Sequence, residues 1–516
     1  MEPASEGHPA AIATLVATLT TPPGGIADLG AAAAGADWLE VRADLVGDLD
    51  TAPLRKAFPG PLLYTLRSRA EGGGSEMSAD RRKRRLAEAA ERYDFIDLEA
   101  SRDLTPDVLR AVPPEKRVIS WHGPATDAVG LRAIFQQKME PTEAALYKLV
   151  PTANQPGEEL AVLLFLHALE REDRRDVAAF AAGKAGTWTR FVAPRIGAPV
   201  IYAALSEKAP GAPGQVSLRR LRDDYGLPAL PRVEALFGIV GNPVTHSLSP
   251  RIHNSAYREL GIPAAYLPFQ TDSFGELWLE VVESGVPESL GMPIRGLSVT
   301  APFKEAALAV AGAESPLASL IGAANTLVCN QGCWEAESTD PEGVVLPLKD
   351  RGIDPAKLRA AVVGAGGAGR SAAAGLARAG SEVVLVNRGA ERGERSARLL
   401  HLPFLLLSDF DPAAFDLIVQ ATSVGRSPSE TLPFDVGAVR PGTVVIDLVY
   451  GDRPTPLLLA AADRGAVTID GREVLLDQAL GQFRMMTGRE LPVPLARRLL
   501  GLDAASKAET GEGGSA

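Results

Sequence analysis

Lys148 stands inside an apolar stretch, Ala145-Leu-Tyr-Lys-Leu-Val150, in a chain where only 11 of 53 basic residues are lysines. Burial disfavours the charged form of an amine. A neutral amine attacks ketones and forms Schiff bases. His122, which ends an earlier apolar stretch, is of the type that moves protons beside such an imine. The plainer reading is a buried lysine paired with Glu40. Arg42, Arg67 and Arg190 lie at neighbouring strand ends and suit a carboxylate; singly, each also fits an ordinary ion pair.

A second chemistry sits at Val362–Arg392. An apolar strand runs into Gly364-Ala365-Gly366-Gly367-Ala368-Gly369, then a helix, then a second apolar strand. In a chain of 51 glycines the pattern alone is weak, but between strand and helix it has a mechanism. The turn brings backbone close to a pyrophosphate, which rests on the helix N-terminus. The second strand ends at Asn387-Arg388, where an acid would take the ribose 2′-hydroxyl of NAD. Asparagine and arginine, with Arg392 one turn on, suit the 2′-phosphate of NADP(H). Further on, Gln420-Ala-Thr422-Ser423 closes a strand beside the nicotinamide position. Lys304 and Asp340 are a candidate acid/base pair, or alternatively a structural salt bridge. Ser247 and Ser249 precede Pro250 at a helix start, where capping is the plain reading.

Elements must position these groups. Short apolar strands over Ile12–Leu19, Trp38–Arg42, Leu62–Leu66, Phe95–Leu98, Val118–Trp121, Leu146–Leu149, Phe191–Ala193 and Val200–Ala204 alternate with helical segments. That pattern predicts an α/β chain opening with a (β/α)8 TIM barrel. Polar residues on such buried strands or at their C-terminal ends read as site residues: Glu40, Arg42, Arg67, His122 and Lys148. The expected organisation is a disordered start (1–10), a barrel (11–225) and a linker (226–234). A substrate lobe (235–345), a Rossmann lobe (346–470), C-terminal helices returning to the substrate lobe (471–503) and a disordered tail (504–516) follow.

Composition removes whole classes of function. A net charge of −11 argues against nucleic acid and anionic membranes as partners, so the expected partners are small molecules. There is no apolar run of membrane-spanning length, and the acidic start MEPASEGHPA resembles no targeting signal. A cytoplasmic chain is expected. The two cysteines, Cys329 and Cys333, read as reduced thiols, and without nearby histidines they make no metal site. The run Arg81–Arg85 reads as the solvated face of a helix rather than a nuclear signal.

The barrel motifs, Glu40-Val-Arg42-Ala-Asp44, Thr65-Leu-Arg67, Glu71-Gly-Gly, Ser120-Trp-His122, Tyr147-Lys148 and Ala212-Pro-Gly-Gln215, resemble those of type I 3-dehydroquinate dehydratase, in the family's order. The resemblance implies an imine on Lys148, proton transfer by His122 oriented by Glu71, and substrate held by Glu40, Arg42, Arg67, Arg190 and Gln215. Gly211 and Thr189 stand where serines are usual. From about residue 236 on, His246-Ser247-Leu-Ser249, Thr300-Ala-Pro-Phe-Lys304, Asn325-Thr326 and Ser338-Thr-Asp340 resemble shikimate dehydrogenase. That resemblance implies substrate binding by Ser247, Ser249, Thr300, Asn325 and Gln478, with Tyr450 lining the cleft. It also implies proton management by Lys304 and Asp340. Ser298, Ser338 and Gly389 depart from the usual Asn, Asn and Thr. Together the two resemblances imply a bifunctional enzyme that dehydrates 3-dehydroquinate and then reduces the product with NADPH. A quinate/shikimate dehydrogenase of catabolic role, and a non-catalytic sensor on the same folds, are the competing readings. The intact Lys148, His122, Lys304 and Asp340 oppose the sensor.

Overall fold

The computed structural model of the chain describes residues 11–22, 24, 26–174, 176–425, 432–451 and 453–502. The disordered termini expected over 1–10 and 504–516 lie outside the described residues. Contacts divide the chain into two units, one of residues 1–236, 243–245 and 257–294, the other of 237–242, 246–256 and 295–516. The division does not follow sequence order at the expected linker.

The first unit is built on eight parallel strands: β1 (Thr14–Leu19), β2 (Trp38–Arg42), β3 (Leu62–Thr65), β4 (Phe95–Glu99), β5 (Arg117–Pro124), β6 (Leu146–Thr152), β7 (Val177–Ala179) and β8 (Val200–Ala204). Each strand pairs with its sequence neighbour from β1 to β7, and β1 pairs with β8. No ladder joins β7 to β8, so the barrel is nearly closed. Helices cover the outside of such a sheet while side chains fill its inside, which is why its strands are mainly apolar and the polar residues on them stand out.

The seventh strand is not where the sequence suggested. Phe191–Ala193 lies in consecutive helical turns, Thr189–Val192 and Ala193–Ile196, and Val177–Ala179 takes the strand position. A short apolar run buried on all sides does not distinguish strand from helix, and the alanines of β7 weaken its strand signal. The last helix of the expected barrel region leads into the expected linker, which also has structure. Ser217 caps the helix Leu218–Tyr225 and Gly226 ends it in the left-handed region. Ala229–Leu230 then pairs antiparallel with Ala11–Ile12. Within the arginine-rich helix Ala79–Ala90, Arg82 is not on the solvated face: it is buried, with two bonds of 2.7 Å to Asp103.

The second unit carries most of β9 (Ala235–Gly241), with Phe237–Gly241 inside it, and an antiparallel ladder of β10 (Ile294–Val299), β11 (Thr326–Asn330) and β12 (Cys333–Glu337). Cys329 faces Trp334 and Asn330 faces Cys333 across the hairpin. The two thiols therefore point to opposite faces and cannot bridge. The helix α1 (Asp340–Asp350) leads into a parallel sheet of β13 (Arg359–Val363), β14 (Glu382–Asn387), β15 (Phe404–Leu406), β16 (Leu417–Gln420), β17 (Val444–Asp447) and β18 (Val467–Ile469). Its order is β15-β14-β13-β16-β17-β18. The strand order reverses between β13 and β16, which opens the crevice in which such sheets bind dinucleotides. The helices α2 (Gly367–Arg378) and α3 (Ala390–Leu400) follow β13 and β14. Then α4 (Gly471–Thr487) starts with a capping box of Asp470 and Glu473. Among the described residues, no helix is long and apolar enough to cross a membrane.

Candidate active sites

In the first unit, strand ends converge on a cavity of about 240 Å³. Glu40, Arg42, Arg67, Glu71, His122, Lys148, Arg190 and Gln215 all line it, so the structure brings all eight predicted barrel residues together. They are not equivalent in charge. Lys148 is buried, with its Nζ 3.1 Å from Asp97 Oδ2 and 3.8 Å from Glu40 Oε1. The lysine is thus not a lone cation among Leu and Val, and its nearer partner is Asp97 rather than Glu40. Arg67 reaches both oxygens of Asp97 at 2.9 Å, Glu71 at 3.1 Å and Ser120 at 2.9 Å. Burial pushes the Asp97 carboxyl up, but Arg67, Lys148 and a bond from Ser120 outweigh it and hold it at about 2.

Arg42 makes a two-pronged contact with Asp44, at 2.9 and 2.8 Å, and donates to the Gly211 carbonyl at 2.6 Å. Arg190 is different. It is buried and lies 4.4 Å from the Phe180 ring centroid; it makes no ion pair among the described residues. Burial alone pushes it down to about 10, so it remains a cation at neutral pH. Its place also differs from expectation: it sits in the helical turn Thr189–Val192 after β7, not before a strand.

His122 Nδ1 lies 3.2 Å from Glu71 Oε2, and the His122 N–H donates to the same oxygen at 3.1 Å. Burial, then the cations Arg67, Lys148, Arg42 and Arg190, holds the imidazole well below its usual range, so it is neutral. Burial pushes Glu71 up to about 7, against the pull of Arg67. An imidazole whose Nδ1–H is held by a carboxylate presents Nε2 as a base.

The Gly211 and Thr189 departures have local reasons. A Cβ at Gly211 would lie 2.8 Å from Gln215 Oε1 and 2.9 Å from Thr18 Cγ2. Gln215 fills that space: its Oε1 accepts from the Gly211 N–H at 2.7 Å and its Nε2 donates to Thr18 at 3.0 Å. Thr18 and Thr65 in turn donate to the two oxygens of Glu40, at 2.8 and 2.9 Å. The Thr189 hydroxyl is spent on backbone, donating to Gly186 O and accepting from the Ala181 N–H.

In the second unit, Lys304 Nζ donates to Asp340 Oδ2, and Asn325 Nδ2 donates to Asp340 Oδ1 at 2.8 Å and to Thr339 at 3.0 Å. Gln482 on α4 accepts from Ser298 at 3.0 Å and donates to the Asn325 carbonyl at 3.2 Å. Serine at 298 therefore has a defined partner, and Ser338 lies 3.4 Å from Ser371. Thr300 follows β10, and its N–H donates to Val240 O of β9 at 2.9 Å. Ser247 and Ser249 are buried in the turn after β9, where the Ser249 N–H donates to Ser247 Oγ at 3.1 Å. Gln478 is half-buried on α4, and Tyr450 is half-buried three residues beyond β17.

The dinucleotide turn requires its glycines. Gly364 has φ of +116°, and a Cβ at Gly369 would lie 1.8 Å from the Gly364 carbonyl. A Cβ at Gly367 would meet Lys304, at 3.1 Å from its Cβ and 3.2 Å from its Cδ. The Ala365 N–H donates to Asn387 Oδ1 at 3.3 Å. Gly366 and Ala368 are half-buried in the same turn. Arg388 and Arg392 are exposed and enter no ion pair among the described residues, which leaves them available to a phosphate. Thr422 accepts from Gln420 Nε2 at 2.8 Å, and Ser423 beside it is exposed. Arg370 of α2 is buried and bonds Ile321 O at 2.9 Å and Glu305 at 2.8 Å, tying the cofactor helix to the segments of Lys304 and Asn325.

Sequence reasoning overlooked Asp97, Glu99 and Tyr202 in the barrel, and Arg370 and Gln482 beyond it; Ser120 and Thr339 stand in the quoted motifs but were given no role of their own. Phe95-Ile-Asp97-Leu-Glu99 carries two acids inside a buried parallel strand, the same signal that singles out Glu40.

A barrel with a buried lysine beside a neutral histidine, and a dinucleotide fold with a lysine–aspartate pair, define a two-site enzyme: a lyase joined to an oxidoreductase. A family model of the type I 3-dehydroquinase matches residues 16–229, and one of the shikimate dehydrogenase substrate binding domain matches 239–327. The chloroplastic bifunctional 3-dehydroquinate dehydratase/shikimate dehydrogenase of Arabidopsis thaliana is 30% identical over 495 residues, covering 89% of this chain and 79% of that protein. The NADP(+) shikimate dehydrogenase of Moorella thermoacetica is 39% identical over 277 residues, 51% of this chain and 92% of that one. A solved shikimate dehydrogenase of Thermus thermophilus, in complex with NADP(H) and shikimate, superposes with a TM-score of 0.47 at 34% identity, over 52% of this chain and 98% of that one. The chain belongs to the family of bifunctional 3-dehydroquinate dehydratase/shikimate dehydrogenases.

Proposed function

We propose that the barrel dehydrates 3-dehydroquinate to 3-dehydroshikimate through an imine on Lys148. The reading is carried by the meeting, in one cavity, of Lys148, a neutral His122 and an Arg190 that makes no ion pair among the described residues. Arg190 takes the substrate carboxylate. Lys148 Nζ adds to the ketone carbon, water leaves, and the permanently ionised Asp97 stands beside the positive nitrogen that results. His122 Nε2 removes the proton next to the imine carbon, and the electron pair moves toward nitrogen. The β-hydroxyl then departs as water, with the proton returned by His122. Hydrolysis of the imine frees the lysine. Glu71 holds Nδ1–H throughout.

The second unit reduces the resulting ketone to shikimate. Lys304 delivers a proton to the nascent alkoxide and Asp340 keeps it oriented, with Asn325 fixing Asp340. Ser247, Ser249, Thr300, Tyr450 and Gln478 contact the substrate. NADPH, when bound, supplies the hydride. Gly364–Gly369 would hold its pyrophosphate, Arg388 and Arg392 its 2′-phosphate, and Thr422 and Ser423 would flank the nicotinamide. Cys329 and Cys333, which cannot pair with each other, suit a cytoplasmic location.

Borohydride added with 3-dehydroquinate is expected to fix a covalent adduct on Lys148; adduct elsewhere, or none, would overturn the imine. The chain supplied with 3-dehydroquinate should oxidise NADPH and not NADH, followed by nicotinamide absorbance.

A further inference from the structure

One polar group in the barrel cavity has no role in this scheme. Tyr202 is at the centre of β8, whose other residues, Val200, Ile201, Ala203 and Ala204, are all apolar. It lines the cavity and is 5% exposed, yet its buried hydroxyl has no hydrogen-bond partner among the described residues. A buried hydroxyl left unpaired destabilises the free protein, and phenylalanine would fill the same space without that penalty. The position is also central. Lys148 Nζ lies 4.5 Å from the Tyr202 ring centroid. Phe180 lies 6.1 Å from the Tyr202 ring, and the Arg190 guanidinium lies 4.4 Å from Phe180. Lysine, tyrosine and arginine thus share one wall of the cavity. A cyclic hydroxy-ketone held by its carboxylate at Arg190 and its carbonyl at Lys148 would lie against that wall.

We propose that Tyr202 is a substrate-contacting residue of the barrel: its O–H donates to an oxygen of the bound hydroxy-ketone, while its ring face covers the nitrogen of Lys148. Burial, with the Glu40 and Asp97 charges, pushes the phenol well above its ordinary range, so it is a donor at every working pH. The ring face favours positive charge at the nitrogen it covers. The hydroxyl makes Tyr202 a specificity element, because a site with a buried donor rejects analogues that lack the matching oxygen.

The inference rests on the dehydratase reading of the barrel. The test is Tyr202→Phe, which keeps the ring and removes the hydroxyl. KM for 3-dehydroquinate should rise about 10-fold, the scale of one lost hydrogen bond. The value of kcat should change less than about three-fold, since the ring still covers the nitrogen. The melting temperature should hold or rise, and shikimate oxidation by the same chain should be unchanged. Tyr202→Leu, which also removes the ring, should lower kcat in addition. An unchanged KM in Tyr202→Phe, or a fall in melting temperature, would overturn the proposal. Borohydride trapping of the wild-type chain separates the two readings. No adduct on Lys148 removes the dehydratase mechanism itself. Normal trapping with an unchanged KM in Tyr202→Phe removes only the role of Tyr202.

Discussion

The two sites solve the problem of charge in opposite ways. In the barrel, Arg67 meets Asp97, Glu71 and Glu99, Lys148 meets Asp97, and Arg42 meets Asp44, all at or near full burial. In the dinucleotide half, among the described residues, the reacting end holds a buried lysine–aspartate pair, and Arg388 and Arg392 are exposed. On the proposed mechanism the dehydratase raises a positive nitrogen, removes a carbon-bound proton and loses water with its own side chains. A preorganised set of charges does that without reorganisation at the moment of reaction. The dehydrogenase draws its reducing equivalent from a cofactor, so the protein needs a cradle and one proton pair.

The comparison breaks first at the two lysines. Lys148→Ala should lower dehydratase kcat by about 10⁴-fold or more and leave NADP-dependent shikimate oxidation intact. Lys304→Ala should do the reverse, with a loss of about 10²–10⁴-fold. Loss of both activities in either variant would mean the sites are not independent. The next effect is on pH. Glu71 is raised to about 7 from an ordinary 4.5, so between these values the folded protein keeps a proton that the unfolded chain has released. Its contribution to stability is full below 4.5 and is lost as pH rises through about 7. Activity should move the other way. Dehydratase kcat/KM should climb as pH passes about 7 and the carboxylate that holds His122 ionises. Glu71→Gln should flatten that limb and lower the rate by up to about 10²-fold, measured as a pH–rate profile, while the dehydrogenase profile stays as it was.

The smallest effects test the two glycines that replace hydroxyl residues. Gly211→Ser must displace Gln215 or Thr18, and should raise the dehydratase KM about five-fold, on the order of 1 kcal/mol. At Gly389 the nearest atom to an added Cβ would be Asn387 Nδ2, at 3.9 Å. Gly389→Thr should therefore fit and tighten NADP binding about 3- to 10-fold, the worth of one hydrogen bond, read by titration. The same change on paper has opposite signs because one glycine is packed and the other is open.

The dinucleotide turn was legible because its glycines answer a local backbone demand, visible in sequence order. Glu40, Arg42, Arg67, His122 and Lys148 were legible because polar side chains interrupt buried parallel strands. By that rule Asp97 and Glu99 were readable and were passed over. Tyr202 was not, since tyrosine is at home in a strand and only packing reveals that its hydroxyl has no partner. Gln482 and Arg370 act on segments more than 45 residues away in sequence, and their roles arise from tertiary placement alone. The seventh strand failed because Phe191–Ala193 is apolar enough to be buried in either conformation.

Gly367 belongs to the pyrophosphate turn by pattern, but its missing side chain is also where Lys304 rests. In the proposed scheme one backbone position therefore serves two ends, phosphate approach and the seat of the proton donor. Any redesign of cofactor preference that places bulk at Gly367 must displace the lysine as well. In the proposed scheme the phosphate turn and the proton donor are in contact at Gly367, and an altered-cofactor variant should be sought at Arg388, Gly389 and Arg392, away from that contact.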